Sequence, residues 1–229
     1  MVPTIAVSYL SPLSLQPFRM RSVIVASLFA LTSASVAQPQ ALKEYRPEII
    51  LTLPRVHGFG LQLVLDDRLS MDDVIPNERI MGGGIVSPVF HGMSLLMEAK
   101  QVRERDGTFE HRYVPTLYAN VELPAGFELR NRNRWEIRDI KTEWSHRLIN
   151  RSAIGHTVMA AGHPFFPYGQ VDVFYDTRYG MLNRHDFTVG MRTPLLGATS
   201  IDPFFTRTID IRRTPRLALT TGAILRVPL

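Results

Sequence analysis

The most constraining feature of the sequence is the segment from Phe127 to Arg138, in which every second residue is charged. Because successive side chains of a β-strand point to opposite faces, this segment predicts a strand with one ionic and one apolar face. The ionic face consists of Glu128, Arg130, Arg132, Arg134, Glu136 and Arg138. The opposite face carries Phe127, Leu129, Trp135 and Ile137. A sheet built from such strands has one wet side and one apolar side.

Similar alternation recurs along the chain and predicts an all-β fold. The clear segments are 59–66, 93–100, 112–123, 184–192, 208–212 and 217–229. Weaker segments are 48–53, 78–86, 142–149, 156–160, 169–178 and 199–207. Together they predict about twelve strands, with ten as the lower alternative. Several reach roughly ten residues, the length of a tilted strand that crosses a membrane.

These strands are expected to form a single closed antiparallel transmembrane β-barrel. A charge on the lipid side would cost about 2–4 kcal/mol near the bilayer midplane, so the ionic face is predicted to line the lumen. We expect short periplasmic turns and longer outer loops. Asn131 and Asn133 fall on the lipid side, and we expect them near a membrane interface or a loop end.

The N-terminal segment has the pattern of an export signal. Arg19 and Arg21 precede an apolar stretch from Val23 to Leu31, and Ser35-Val36-Ala37 is a small-x-small cleavage site. The apolar stretch is about half the ~20 residues that a membrane-spanning helix needs. The pattern therefore predicts a signal peptide over residues 1–37, cut after Ala37.

Translation could instead start at Met20. With either start, residues 38–229 are predicted to form one barrel domain. The chain has no cysteine, so its rigidity has to come from sources other than disulfide bonds. A closed ladder of backbone hydrogen bonds with no free edge would supply it.

Three motifs resemble those of a known family. They are Leu-Arg-Asn-Arg-Asn-Arg-Trp-Glu at 129–136, Asp-Val-Phe-Tyr-Asp at 172–176, and Asn183-Arg184 leading to Gly190. They are similar to motifs of the uncharacterised bacterial outer-membrane barrel family catalogued as domain of unknown function 2490, over roughly Glu44 to Leu229. The resemblance implies a barrel in the bacterial outer membrane, with outer-membrane lipid and the barrel-assembly machinery as partners. The family has no settled activity.

The arginine row is the main functional candidate. Closely spaced cations in a lumen with low-dielectric walls focus a positive potential, and rings of arginine select anions in pores. The row therefore favours a narrow pore that prefers small anionic solutes. The candidate ion-path residues are Glu128, Arg130, Arg132, Arg134, Glu136, Arg138, Asp172, Arg184 and Asp186.

A passive structural barrel is the alternative. In that interpretation the arginines are neutralised by carboxylates on neighbouring strands, and the resulting network fills the lumen. The expected partners are Glu122, Glu128, Glu136, Asp172 and Asp186.

Other classes have weaker support. A lipid-modifying hydrolase could draw on Ser145, His146, His156 or His185, but Ser145 and His146 are adjacent and point to opposite faces of a strand. We therefore predict no catalytic residue. A soluble periplasmic ligand-binding barrel would need the inverse arrangement, with apolar residues inside. The histidines lack metal-site spacing and no segment resembles a calcium loop, so no metal or other cofactor is expected. Nucleic acid is not an expected partner, since the basic residues face the barrel interior.

Overall fold

The computed structural model describes residues 41–71, 76–140, 143–160, 162–212 and 214–229, and the predicted signal peptide lies outside these ranges. The strands are β1 (Leu42–Thr52), β2 (Gly60–Ser70), β3 (Pro76–Val86), β4 (Met93–Glu104), β5 (Phe109–Glu122), β6 (Phe127–Ile140), β7 (Glu143–His156), β8 (Val158–Ala160), β9 (His163–Asp176), β10 (Met181–Pro194), β11 (Ser200–Asp210) and β12 (Leu217–Pro228). A single 3-10 turn, Pro124–Gly126, separates β5 from β6. Within the described ranges, no helix is long and apolar enough to cross a membrane.

The strands close into a barrel. Neighbours in sequence pair from β1 to β7, β9 to β12 continue the wall, and β12 pairs with β1. Strand β8 extends β7 beyond a break at Thr157, because both strands pair with β9 in one register: Gly155 lies opposite Tyr168, and Val158 opposite Phe165. Within the described residues, the wall therefore has eleven strands, and β8 is an additional short strand that continues β7. The predicted all-β closed barrel of about twelve strands is confirmed.

The closing pair departs from the predicted antiparallel pattern, because β1 and β12 run parallel. Hairpins reverse the chain direction at every strand, so the first and the eleventh wall strands point the same way. Closure of an odd-stranded barrel therefore requires one parallel pair. The N-terminal rim, where β1 begins, and the C-terminal rim, where β12 ends, are consequently opposite ends of the barrel.

Side-chain alternation sets the two faces of the wall as predicted. On β2, Leu65 is 40% exposed and Asp66 is 3% exposed; on β4, Met97 is 52% exposed and Glu98 is 5% exposed. Along most of the wall, apolar side chains therefore point outward and charged side chains point into the barrel. This is the opposite of what a soluble ligand-binding barrel with an apolar interior requires.

The expectation of short turns at one rim and longer loops at the other is wrong. No connection between consecutive strands exceeds seven residues at either rim. The reason is that the wall strands run for 11–14 residues and include positions that the alternation alone left in loops.

The placement expected for Asn131 and Asn133 is also wrong. Both lie inside β6, with Leu129 before them and Trp135 after them on the same outward face. The outer surface therefore contains polar side chains in the middle of a strand.

We call the parallel pairing of β1 with β12 the seam. It can be tested with introduced pairs of cysteines, because the native chain has no cysteine. Ile49 lies opposite Leu225 in the seam, within the Cα separation that a disulfide accepts. We expect the Ile49→Cys/Leu225→Cys double variant to form an intramolecular disulfide on oxidation, seen as a mobility shift on non-reducing gels. The control is Ile49→Cys/Leu219→Cys, whose second cysteine lies six residues away on β12. Equal oxidation of both pairs, or of neither, would contradict the seam.

Candidate functional site

The ionic face of β6 points into the barrel along its whole length. Its neighbours in the ladder are β5 on one side and β7 on the other. Asp172 lies on the inner face of β9, and Arg184 and Asp186 lie on the inner face of β10. The nine predicted ion-path residues therefore share one interior, where all but Arg132 pair with partners at different heights.

Near the N-terminal rim, Glu110 of β5 holds two arginines. Arg112 Nε donates to Glu110 Oε1 at 2.7 Å, and Arg138 Nη2 donates to Glu110 Oε2 at 2.8 Å. Arg112 also donates to Glu78 of β3 at 3.0 Å, and Arg68 of β2 lies 3.1 Å from the same carboxylate. Glu78, Arg112 and Arg138 are buried, and Glu110 is only 2% exposed. The cluster thus links four strands across the inside of the barrel.

Asp176, the last residue of β9, is a second shared carboxylate near this rim and is fully buried. Its Oδ2 accepts hydrogen bonds from Arg147 at 3.1 Å, from Arg178 at 2.8 Å and from Arg138 at 3.5 Å. Arg178 lies in the turn after β9, and its hydrogen bonds to Asp176 raise the pKa of its guanidinium. Arg138 therefore connects the Glu110 and Asp176 clusters.

At mid-height the interior charges form separate pairs. Arg151 of β7 donates two hydrogen bonds of 2.6 Å to Asp172. Arg184 donates to Asp186 at 2.8 and 2.6 Å, and Thr208 donates to the same carboxylate at 2.8 Å. These bidentate contacts hold both arginines against the wall.

Near the C-terminal rim the pairing is looser. Arg192 and Arg226 share one carboxylate, Asp202, at 3.7 and 3.6 Å. The Tyr168 hydroxyl donates to Asp202 at 2.8 Å. The Nε atoms of Arg192 and Arg226 are buried and have no hydrogen-bond partner among the described residues. This end of the lumen therefore has more guanidinium groups than well-placed acceptors.

Arg132 has the weakest pairing of the β6 row. Its neighbours across the ladder are Tyr118 on β5 and Arg151 on β7, so no carboxylate lies directly beside it. Its Nε is buried without a hydrogen-bond partner, and no ion pair joins it to a described residue. Arg132 thus has no directly bonded acidic partner among the described residues.

Several partners were missed from the sequence. The expected neutralising set did not contain Glu110, Asp176 or Asp202, which hold most of the arginines near the two rims. Alternation on β5, β9 and β11 places all three on inner faces, so the pattern contained this signal. What it lacked was the register that decides which charges meet.

The structure also places the residues considered for a hydrolase and for a metal site. Ser145 is buried on the inner face of β7, while the ring of His146 lies on the outer face, 5.7 Å from that of Trp135. His156 Nδ1 contacts the Gly126 carbonyl oxygen at 2.9 Å. Within the described part of the chain, no group of three or more potential ligand residues is arranged to hold a metal ion.

The shared carboxylate of Glu110 should be important for stability. Replacing Glu110 with alanine leaves two buried guanidinium groups short of an acceptor, and we expect a loss of about 3–5 kcal/mol in the free energy of unfolding. Urea titration of the barrel refolded into lipid vesicles would measure it. The control is Glu128→Ala, which removes the partner of Arg130 at a site where the glutamate side chain is 37% exposed. Its expected cost is about 0–1 kcal/mol, and similar losses for both variants would contradict the assignment.

Comparison with known proteins provides no relative on which to base a function. No protein-family model, curated protein or solved structure matches the chain. The role of the interior therefore has to be argued from its own contacts.

Proposed function

We propose that this chain is a passive barrel of the bacterial outer membrane. In this proposal, ion pairs near the N-terminal rim close the lumen, and the loosely paired Arg192 and Arg226 near the C-terminal rim attract small anions. The resemblance to the barrel family described above supports the outer-membrane location. The closed lumen distinguishes this role from that of an open pore.

The outer surface supports the membrane location. The outward side chains of neighbouring strands are large, apolar and exposed, as Leu63, Met97 and Leu117 illustrate. Exposed aromatic residues lie at both ends: Phe59, Phe90 and Phe127 at the C-terminal rim, and Phe109, Trp144 and Tyr179 at the N-terminal rim. An apolar band between two aromatic girdles is the pattern of barrels that span a membrane.

The burial of the charged clusters near the N-terminal rim is the observation that carries the closed-lumen proposal. Glu110, Arg138 and Asp176 are buried although they point into the barrel, and they are bonded to one another rather than exposed to a water-filled channel. Val102 of β4 is fully buried on the same interior surface. A conducting pore needs a continuous wet path, and the burial and mutual bonding of these side chains favour a closed section instead.

The looser pairing near the other rim supports an attraction for anions. Arg192 and Arg226 lie 3.7 and 3.6 Å from their shared carboxylate and their side chains are 32% and 33% exposed, so an entering anion could accept hydrogen bonds from their guanidinium groups. In a lumen with low-dielectric walls such charges also raise the local anion concentration. Any residual ion flow should therefore prefer anions.

Conductance in a planar bilayer tests the closed lumen. We expect the refolded chain from Gln38 to Leu229 to insert but to give few or very small current steps. An Arg112→Ser/Arg138→Ser variant removes two large side chains from the filled section and should produce larger steps. Heat-dependent gel mobility would verify that both proteins are folded. Large, stable steps from the unmodified protein would show that the lumen is open.

Reversal potentials across a salt gradient test the role of the arginines. In the Arg112→Ser/Arg138→Ser background, substituting Arg132 and Arg134 with serine should shift ion selectivity toward cations, because it removes positive charge beside the path. Arg79→Ser is the matched control, since Arg79 is exposed on the outer face and paired with Asp67. Unchanged selectivity on substitution of Arg132 and Arg134 would remove both residues from the anion path.

A further inference from the structure

The outer face of β6 and β7 contains a cluster of polar side chains that interior chemistry does not explain. We define the amide patch as Asn131 and Asn133 of β6 with Asn150 and Ser152 of β7. In the ladder, Asn131 lies opposite Ser152 and Asn133 lies opposite Asn150. Neighbouring residues on the same face are apolar and exposed: Leu129, Trp135, Leu148 and Ile154. The patch is therefore a polar island in an apolar wall.

The four side chains form a closed ring of hydrogen bonds. Asn131 donates to Ser152 at 3.1 Å, and Ser152 donates to Asn150 at 3.4 Å. Asn150 donates to Asn133 at 2.7 Å, and Asn133 donates to Asn131 at 2.6 Å. Each member donates once and accepts once, so the ring holds the side chains in a defined arrangement.

The ring leaves hydrogen-bonding capacity on its outer side. An asparagine amide has two N–H donors, and each of the three asparagines uses one of them in the ring. The second N–H of each amide has no partner among the described residues. In a hydrocarbon environment such groups are costly to leave unpaired, whereas a polar surface from another molecule could satisfy them.

The surface around the patch is also shaped for close approach. Ladder pairing places Ala119 of β5 beside Asn131, and Val171 of β9 beside Ser152. These four residues form a row across four neighbouring strands, and two of them, Ala119 and Ser152, have small side chains. Small residues on a membrane-facing surface let two backbones come near each other.

We propose that the amide patch is the surface through which two copies of this barrel associate in the membrane, an inference that rests on the proposed membrane location. A carboxamide is both a donor and an acceptor, so the patch is complementary to itself when a second copy faces it across a twofold axis. Each copy then supplies acceptors for the free N–H groups of the other. The small side chains of Ala119 and Ser152 allow the two barrels to approach closely.

Site-specific cross-linking tests this association on the full chain in the outer membrane of a bacterial host. The native sequence has no cysteine, so Ser152→Cys creates a single reactive thiol in the patch. Leu63→Cys is the control, since Leu63 is exposed on the outer face of β2, several strands away around the wall. With a short bis-maleimide, we expect a species of twice the barrel mass from Ser152→Cys and none from Leu63→Cys.

A second variant separates association from folding. Adding Asn131→Leu, Asn133→Leu and Asn150→Leu to Ser152→Cys should abolish the dimer while heat-dependent gel mobility shows an intact barrel. Equal cross-linking from Ser152→Cys and Leu63→Cys in folded barrels would overturn the proposed interface, and so would a product of another mass. If the chain does not fractionate with the outer membrane, the proposed location fails, and the inference falls with it.

Discussion

Closure of the backbone ladder is the constraint on which the rest of this structure depends. A sheet of amphipathic strands has two edges with unpaired N–H and C=O groups, and only closure removes both. With eleven strands in the wall, the last pair meets in parallel, as β1 and β12 do. Once the ring is complete, side-chain alternation assigns every residue of the wall to the lumen or to the outer surface.

The interior then has to accommodate many charges in a small space. Near the N-terminal rim, carboxylates such as Glu110 and Asp176 each accept from more than one guanidinium, so few acceptors neutralise many donors. Near the C-terminal rim, two arginines share Asp202 at longer distances, and in the middle of β6 Arg132 has no acidic partner among the described residues. Among the described residues, charges are therefore paired more closely near the N-terminal rim than farther along the barrel, which makes the lumen electrostatically asymmetric along its axis.

Much of this architecture could be predicted from the sequence, because a period of two specifies both a strand and its faces. The row from Glu128 to Arg138 was correctly placed on one inward face, and the approximate strand number followed from counting similar segments. Periodicity carries no information on register, so it could not show that Arg138 meets Glu110 or that Arg132 lies beside Arg151. Whether the wall has an odd or an even number of strands could not be predicted for a related reason. Whether 156–160 is a new strand or an extension of β7 depends on its pairing with β9, which alternation does not encode.

The seam between β1 and β12 has a consequence for how the barrel is made. Neighbouring wall strands elsewhere are joined by short connections, so most of the sheet can assemble from local contacts. The seam instead joins positions such as Glu44 and Thr220, which are 176 residues apart in the chain. Contacts at such separation carry the largest loop-closure entropy and form late. Until β12 arrives, β1 remains an open edge able to pair with another chain. Pairing of β12 with β1 therefore ends the period in which the growing sheet is most exposed to aggregation.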